Sequence, residues 1–263
     1  MKDSFSNLEI ELNNKGILSI TLSRPERLNA LNKALLEDLQ KALHDAKQDS
    51  QTKALLLTGA GEKSFCAGAD IKQIAALNAE QGFSFARTGQ AIFSFLENLG
   101  KPSLAAIKGY AFGGGCELAM AASLRIATST AQFAQPEVKL GLIPGYGGTQ
   151  RLARLIGKGR ALDLCLSGGS ISADTALQWG LISEITAPEN LLIRAHTLLE
   201  TIIDHAPFAL RSVLDAVHHG YDLTLEEALN LEATYFGLCC ASKDKEEGVR
   251  AFLEKRKAKF TGE

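Results

Sequence analysis

The stretch GYAFGGGCELAM, residues 109–120, places one carboxylate, Glu117, directly after three glycines and inside a run of small and apolar residues. Burying a carboxylate costs several kcal/mol unless it finds partners or changes its protonation state. Three consecutive glycines give up side-chain packing and raise the entropic cost of ordering the backbone. The stretch therefore indicates either a packing irregularity or a site where bare backbone lies beside a carboxylate.

The three glycines lie between a predicted buried strand and a predicted helix, CELAMAA (116–122). The first N–H groups of a helix have no internal acceptor and carry the positive end of the helix dipole. The stretch FCAGADIK (65–72) has the same form, with Asp70 as the expected N-cap. Two such loops can direct two N–H groups at one oxygen, an arrangement that suits a carbonyl gaining negative charge.

A second carboxylate, Glu137, follows Glu117 in the stretch QPEVKLG and comes after another predicted strand. Two carboxylates in one apolar pocket acquire different pKa values, so that one acts as a base and the other as an acid. The alternative is that Glu137 is a surface residue following Pro136. Spacing along the chain leaves both interpretations open.

Strand-like runs alternate with helix-like stretches through the first 188 residues, which predicts an α/β fold. The strand-like runs are ILSITL (17–22), KALLLTG (53–59), PSLAAIKG (102–109), LRIATS (124–129) and LISEIT (181–186). The remainder is mostly helical, including a helix from Thr224 to Cys240 that starts with a capping box and a last helix from about Ser242 to Phe260. We predict a core over residues 1–200 that carries the active site and a helical region over residues 201–263.

Composition excludes several classes of protein. The net charge is −2 over 263 residues, so neither nucleic acid nor an anionic membrane is expected as a partner. The N-terminus resembles neither a signal peptide nor a presequence, and five cysteines without a C-x-x-C pair predict reduced thiols and a cytoplasmic location. The five histidines lack metal-ligand spacing, so no metal is expected. GYGGTQ fits no dinucleotide or phosphate-binding motif, and no G-x-S-x-G occurs.

Four linked motifs together resemble the crotonase superfamily, and most closely its enoyl-CoA hydratases, from about residue 8 to residue 260. These motifs are RPERLNAL (24–31), CAGADIK (66–72), GGGCELAM (113–120) and AQPEVKLGLIPGYGGTQRL (134–152). The resemblance implies repeated ββα units wound into a superhelix, with C-terminal helices that build a homotrimer or a hexamer. It implies an acyl thioester substrate that carries coenzyme A and no further cofactor.

The resemblance also implies roles for individual residues. The N–H groups of Ala67 and Gly114 form the oxyanion hole, Glu117 is the base on water, and Glu137 delivers a proton to the α-carbon. The loop with Gly145 helps to position the water. Tyr146 on this loop is larger than the alanine that many hydratases have there, although tyrosine also occurs among bacterial members, and we expect it to narrow the acyl pocket. The predicted substrate-binding residues are Ala67, Gly68, Ala69, Asp70, Gly114, Gly145 and Tyr146. Arg24 and Arg27 are either contacts for the coenzyme A phosphates or ordinary surface residues.

Two retained glutamates favour the hydration of a 2-trans-enoyl-CoA to a 3-hydroxyacyl-CoA, a hydro-lyase reaction of fatty-acid β-oxidation. One alternative is another reaction of the superfamily, Δ3-Δ2 enoyl-CoA isomerisation. A second is RNA binding, which one relative performs through a lysine-rich helix. Here the matching stretch NKALLEDLQKALHDAKQ (32–48) carries acidic residues beside its lysines, which does not make the one-sided basic stripe that phosphate binding needs.

Overall fold

The computed structural model describes residues 5–263, which form two β-sheets surrounded by helices. The strands are β1 (Leu8–Leu12), β2 (Ile17–Leu22), β3 (Ala54–Gly59), β4 (Ser64–Cys66), β5 (Ser103–Ile107), β6 (Tyr110–Phe112), β7 (Leu124–Thr128), β8 (Gln132–Ala134), β9 (Ser170–Ser172) and β10 (Glu184–Thr186). The first helices are α1 (Lys33–Gln48), α2 (Ile71–Ile74), α3 (Ala79–Glu97), α4 (Gly114–Ala121), α5 (Gly148–Ile156), α6 (Lys158–Ser167) and α7 (Ala173–Trp179). The C-terminal helices are α8 (Leu191–Ile203), α9 (Pro207–Gly220), α10 (Leu225–Cys240) and α11 (Lys243–Leu253).

From β3 to β8, successive strands alternate between the two sheets. The larger sheet has the order β1-β2-β3-β5-β7-β10 and the smaller one the order β4-β6-β8-β9. Strands β3, β5 and β7 pair in parallel in the first sheet, and β4, β6 and β8 pair in parallel in the second. Each such pair of strands is followed by a helix, which gives three ββα units wound in one direction. The predicted fold class, a superhelix of ββα units followed by helices, is confirmed.

The central strands β3 and β5 of the larger sheet are buried on both faces, and this explains their uninterrupted apolar sequences. In β3, Leu55 and Leu57 pack in the cluster that contains the buried face of α1. Their neighbours in the strand, Ala54 and Leu56, point the other way and pack against α8. This alternation follows from the two-residue period of a strand. The predicted boundary at residue 200 falls inside α8, a helix that packs on this sheet.

The predicted last helix is too long. Helix α11 ends at Leu253, and Lys255 adopts a left-handed backbone conformation with φ of 55° that reverses the chain. The returning segment is held by the buried carboxylate of Asp244, which accepts hydrogen bonds from the N–H groups of Thr261 (2.7 Å) and Gly262 (2.9 Å). By contrast, α10 begins with the predicted capping box of Thr224 and Glu227. No helix within residues 5–263 combines the length and the apolar character needed to cross a bilayer.

Candidate active site

A pocket of about 350 Å³ opens at the N-terminal end of α4, next to the ends of strands β4 and β6. Its walls come from the loops after these strands, from α3, and from the segment that contains Glu137 and Tyr146. The predicted site residues found in its lining are Ala67, Gly68, Ala69, Gly114, Glu117, Glu137, Gly145 and Tyr146. The superhelix thus brings together segments that lie almost 80 residues apart in the chain.

Glu117 lies in the first turn of α4 and is 1 % exposed. Its Oε1 accepts hydrogen bonds from the backbone N–H groups of Tyr146 (2.7 Å) and Gly148 (2.6 Å). Burial raises the pKa of the Glu117 carboxyl, and the negative charge of Glu137 raises it further. The two N–H donors oppose this shift because they favour the ionised form, as does the nearby charge of Arg151.

Glu137 begins a short 3-10 helix, Glu137–Leu140, directly after Pro136. Its carboxyl faces the pocket and lies so close to Gly113 that a Cβ on that glycine would collide with Oε1. Oε2 is buried and has no hydrogen-bond partner among residues 5–263. Burial raises the pKa of this carboxyl as well. The interpretation of Glu137 as a plain surface residue is wrong, since the structure places it on the same pocket as Glu117.

The backbone donors differ from those expected. The N–H of Ala67 donates a hydrogen bond of 3.0 Å to the carbonyl oxygen of Leu28, so it is not free to bind a ligand. Gly68 then turns the chain with φ of 104°, and the N–H of Ala69 has no acceptor in the described part of the chain. A Cβ on Gly114 would lie only 3.4 Å from the nitrogen of Ala69. The prediction of Ala67 as an oxyanion donor is therefore wrong, and Ala69 lies beside Gly114 instead.

Gly114 is the first residue of α4, and its N–H also lacks an acceptor within residues 5–263. The preceding residue, Gly113, has φ of 48°, a backbone conformation that favours glycine. The open N-terminal turn of α4 faces the pocket beside both glutamates. This geometry gives the physical reason for the glycine run in the sequence: the bare backbone lets a ligand oxygen approach the helix N-terminus closely.

Asp70 and Arg24 do not reach the pocket lining. The Asp70 carboxylate caps α2 by accepting from the N–H of Lys72 (3.1 Å), and its own N–H donates to the Leu31 oxygen (2.9 Å). The guanidinium of Arg24 forms an ion pair with the Asp70 carboxylate, with 3.7 Å between Nη2 and Oδ2, and its Nη1 donates to the carbonyl oxygen of Ala30 (2.5 Å). Asp70 is thus absent from the lining of this pocket, and its polar groups hydrogen-bond within these loops. Its contact with the substrate stays a prediction.

Sequence reasoning missed a group of side-chain hydrogen bonds that hold the loop of residues 144–148 from behind the pocket. Gln90 of α3 donates to the Gly145 oxygen (2.8 Å), and Arg151 of α5 donates to the Tyr146 oxygen (3.0 Å). Arg151 is itself held by Glu97 of α3 at 2.8 Å. Helix α3 was not predicted, although Asn78 and Gln81 form a capping box that is visible in the sequence as an N-x-x-Q spacing.

The pocket places two carboxyls beside backbone N–H groups that have no acceptor within residues 5–263. Such an arrangement can move protons next to a carbonyl group that the N–H groups hold. The sequence profile of the enoyl-CoA hydratase/isomerase family matches residues 12–263, and the chain belongs to this family.

Relatives and solved structures agree with this assignment over nearly the whole chain. A short-chain-enoyl-CoA hydratase of Clostridium acetobutylicum is 42% identical over 252 residues, with 96% of each chain covered. A crotonyl-CoA hydratase of Syntrophomonas wolfei is 42% identical over 257 residues, with 98% of each covered. A crystal structure of enoyl-CoA hydratase from Bacillus anthracis superimposes with a TM-score of 0.94 at 38% identity, covering 98% of this chain and 100% of that one.

Proposed function

We propose that this chain is an enoyl-CoA hydratase, which adds water reversibly to a 2-trans-enoyl-CoA to give a 3-hydroxyacyl-CoA. The observation that carries the proposal is the presence of two carboxyls, the buried Glu117 and the half-buried Glu137, on one pocket beside two N–H groups without an acceptor in residues 5–263. Hydration needs a base on water and an acid at the α-carbon, whereas isomerisation needs a single group that moves a proton between carbons. The similarity to hydratases of short-chain and crotonyl thioesters supports the same conclusion.

The unpaired N–H groups of Ala69 and Gly114 are the donors we assign to the thioester oxygen. This oxygen gains negative charge when the β-carbon is attacked and an enolate forms. Donors that are already in place stabilise that charge without reorganisation, and loss of one such donor typically costs roughly 3–4 kcal/mol. The fixed position of Gly114 at the start of α4 adds the positive end of the helix dipole.

Glu117 and Glu137 divide the two proton transfers. Near neutral pH two carboxyls in one apolar site tend to hold a proton between them, which leaves a base and an acid available together. We assign Glu117 as the base, because two N–H groups donate to its Oε1, whereas Oε2 of Glu137 is buried without a hydrogen-bond partner in residues 5–263. It takes a proton from water as the oxygen bonds to the β-carbon. Glu137 gives its proton to the α-carbon, so that the elements of water are added across the double bond.

The proposed reaction uses no metal or cofactor apart from the coenzyme A of the substrate. Incubating the purified protein with crotonyl-CoA tests it directly, because hydration removes the absorbance of the conjugated thioester and adds the mass of one water. In deuterated water the product gains one carbon-bound deuterium at the α-position. A folded protein that leaves crotonyl-CoA unchanged but converts a 3-enoyl-CoA into its 2-enoyl isomer would establish the isomerase alternative instead.

The C-terminal helices support a proposal about assembly, namely a homotrimer or a hexamer made of two trimers. Helix α10 has no buried residue, although Leu225, Phe236 and Leu238 are large and apolar. On α11, Phe252 is 83 % exposed. Apolar faces of this kind mark surfaces for association. Light scattering at micromolar concentration checks this, and a monomer mass would contradict it. A cytoplasmic location is proposed on the ground that all five cysteines are unpaired.

A further inference from the structure

The side chain of Tyr146 has no part in the reaction as proposed, although its backbone N–H donates to Glu117. It is 2 % exposed and lies in the wall of the pocket. Its ring packs edge-on against Phe93, with centroids 5.5 Å apart, and is tilted against Phe85 at 5.3 Å. Contacts on several sides thus hold this ring in one position.

The Tyr146 ring is enclosed by two glycines from different helices. At Gly89, in the middle of α3, a Cβ would collide with several atoms of the ring. At Gly114, at the start of α4, a Cβ would lie 3.2 Å from Cδ2. Glycine inside a helix is destabilising by about 1 kcal/mol relative to alanine. Its presence at the buried position 89 is accounted for by the space that the ring occupies.

This position puts the ring beside the reacting end of the substrate. Gly114, where an added Cβ would lie 3.2 Å from the ring, also carries one of the N–H groups assigned to the thioester oxygen. The pocket volume of about 350 Å³ lies near the lower end of the range for ligand sites. That volume has to hold the thioester as well as the acyl chain. The Tyr146 ring therefore occupies space into which a longer acyl chain would extend.

We infer that the Tyr146 ring, which packs against Gly89, limits the length of the acyl chain and restricts the enzyme to short-chain enoyl-CoA thioesters. The inference rests on the proposed hydratase function and adds the substrate class. Ring volume, and not the hydroxyl, carries the effect, because the phenolic oxygen is buried without a hydrogen-bond partner in residues 5–263. The backbone N–H that serves Glu117 is present in any variant at this position other than proline.

The test compares Y146A with Y146F, using crotonyl-CoA and 2-trans-decenoyl-CoA as substrates. A methylene that fits or fails to fit an apolar pocket changes kcat/KM by about 10- to 200-fold. We expect Y146A to raise the ratio of decenoyl to crotonyl kcat/KM at least about tenfold. Y146F keeps the ring and should stay close to the wild-type ratio. A ratio in folded Y146A that equals the wild-type ratio would overturn the inference, as would equal enrichment in Y146F.

A second pair of variants tests the packing contact between the Tyr146 ring and Gly89. In G89A the added methyl group pushes the ring into the pocket, so kcat/KM for crotonyl-CoA should fall. In the double variant G89A/Y146A the collision is absent, and kcat/KM should recover above that of G89A, a non-additive result expected for residues in contact. A double variant with a kcat/KM no higher than that of G89A would contradict the packing contact between the ring and Gly89. If G89A does not fold, the comparison of Y146A with Y146F still decides.

Calorimetry with saturated thioesters separates this inference from the proposed reaction. Butyryl-CoA and decanoyl-CoA bind without being hydrated, so their affinities report the size of the pocket alone. If Y146A gains affinity for decanoyl-CoA relative to butyryl-CoA while the wild type hydrates no enoyl-CoA, the hydratase function fails and the size limit stands. If the wild type hydrates crotonyl-CoA but binds both thioesters equally well, the size limit fails and the hydratase function stands.

Discussion

The carboxylate of Glu117 accepts a hydrogen bond of 2.6 Å from the backbone N–H of Gly148, a residue 31 positions later in the chain. Gly148 is the first residue of α5, so the N-terminal turn of one helix holds a side chain from the N-terminal turn of another. A Cβ on Gly148 would lie 2.9 Å from the same carboxylate. The close contact between α4 and α5 therefore fixes the position of the proposed base and favours its ionised form.

Replacing each glutamate by glutamine should separate the two proton transfers. E117Q should lose hydration of crotonyl-CoA by about 10²- to 10⁴-fold, since water loses its base, and should retain some isomerisation of a 3-enoyl-CoA. E137Q should lose both activities, because protons reach and leave the α-carbon through Glu137. Steady-state assays on both thioesters measure this, with circular dichroism as the control for folding. The division of roles is wrong if E137Q hydrates like the wild type while E117Q fails to isomerise.

The raised pKa values of the two carboxyls predict how stability depends on pH. Burial raises the two pKa values of this coupled pair from the ordinary 4.5 to about 7 and about 8. Between about pH 4.5 and 8 the folded protein therefore binds protons that the unfolded chain has released. The free energy of unfolding contributed by this pair should therefore fall as pH rises from about 5 to 8. E117Q stays neutral and should show a shallower fall. Urea midpoints at several pH values test this, and parallel curves for the two proteins would contradict it.

Proline substitutions should distinguish the two alanines of the CAGAD loop. A69P removes an N–H that has no acceptor within residues 5–263, so it should lower kcat by at least about a hundredfold. A69S keeps the N–H and should lose far less. A67P removes the hydrogen bond to Leu28, so its main effect should be on thermal stability. A folded A69P protein with the activity of A69S would remove Ala69 from the oxyanion hole.

Arg151 is a positioning residue for Glu117, because its guanidinium holds the Tyr146 carbonyl whose own N–H donates to that carboxylate. R151M should displace this peptide and lower kcat by about ten- to a hundredfold. It also removes a positive charge that lowers the pKa of Glu117, so the acid limb of kcat/KM should move to higher pH. R151K keeps the charge and should leave this limb nearly in place. An unshifted limb in R151M would show that the effect is only structural.

The sequence by itself determined the fold class and the two carboxylates. These conclusions rest on features that can be read directly along the chain. They are the alternation of strand and helix patterns, the glycine run before Glu117, and the order of four motifs. The capping box of Thr224 and Glu227 was likewise readable, since both partners lie within four residues. The sequence identified Glu137 as a candidate, but only the packing of the ββα units shows that it lines the same pocket as Glu117.

Tertiary structure alone decided which backbone groups face the pocket. Ala67 and Ala69 are the same residue type on either side of Gly68, so the sequence does not show which N–H is free. In the fold, the carbonyl oxygen of Leu28 accepts from the N–H of Ala67, and the N–H of Ala69 has no acceptor within residues 5–263. Two further contacts depend in the same way on α3 packing against later segments: the ion pair of Arg151 with Glu97 and the packing of the Tyr146 ring against Gly89. A hydrogen bond or a steric fit is set by which groups meet in space. Residue types and spacing fix those meetings only within a few residues along the chain.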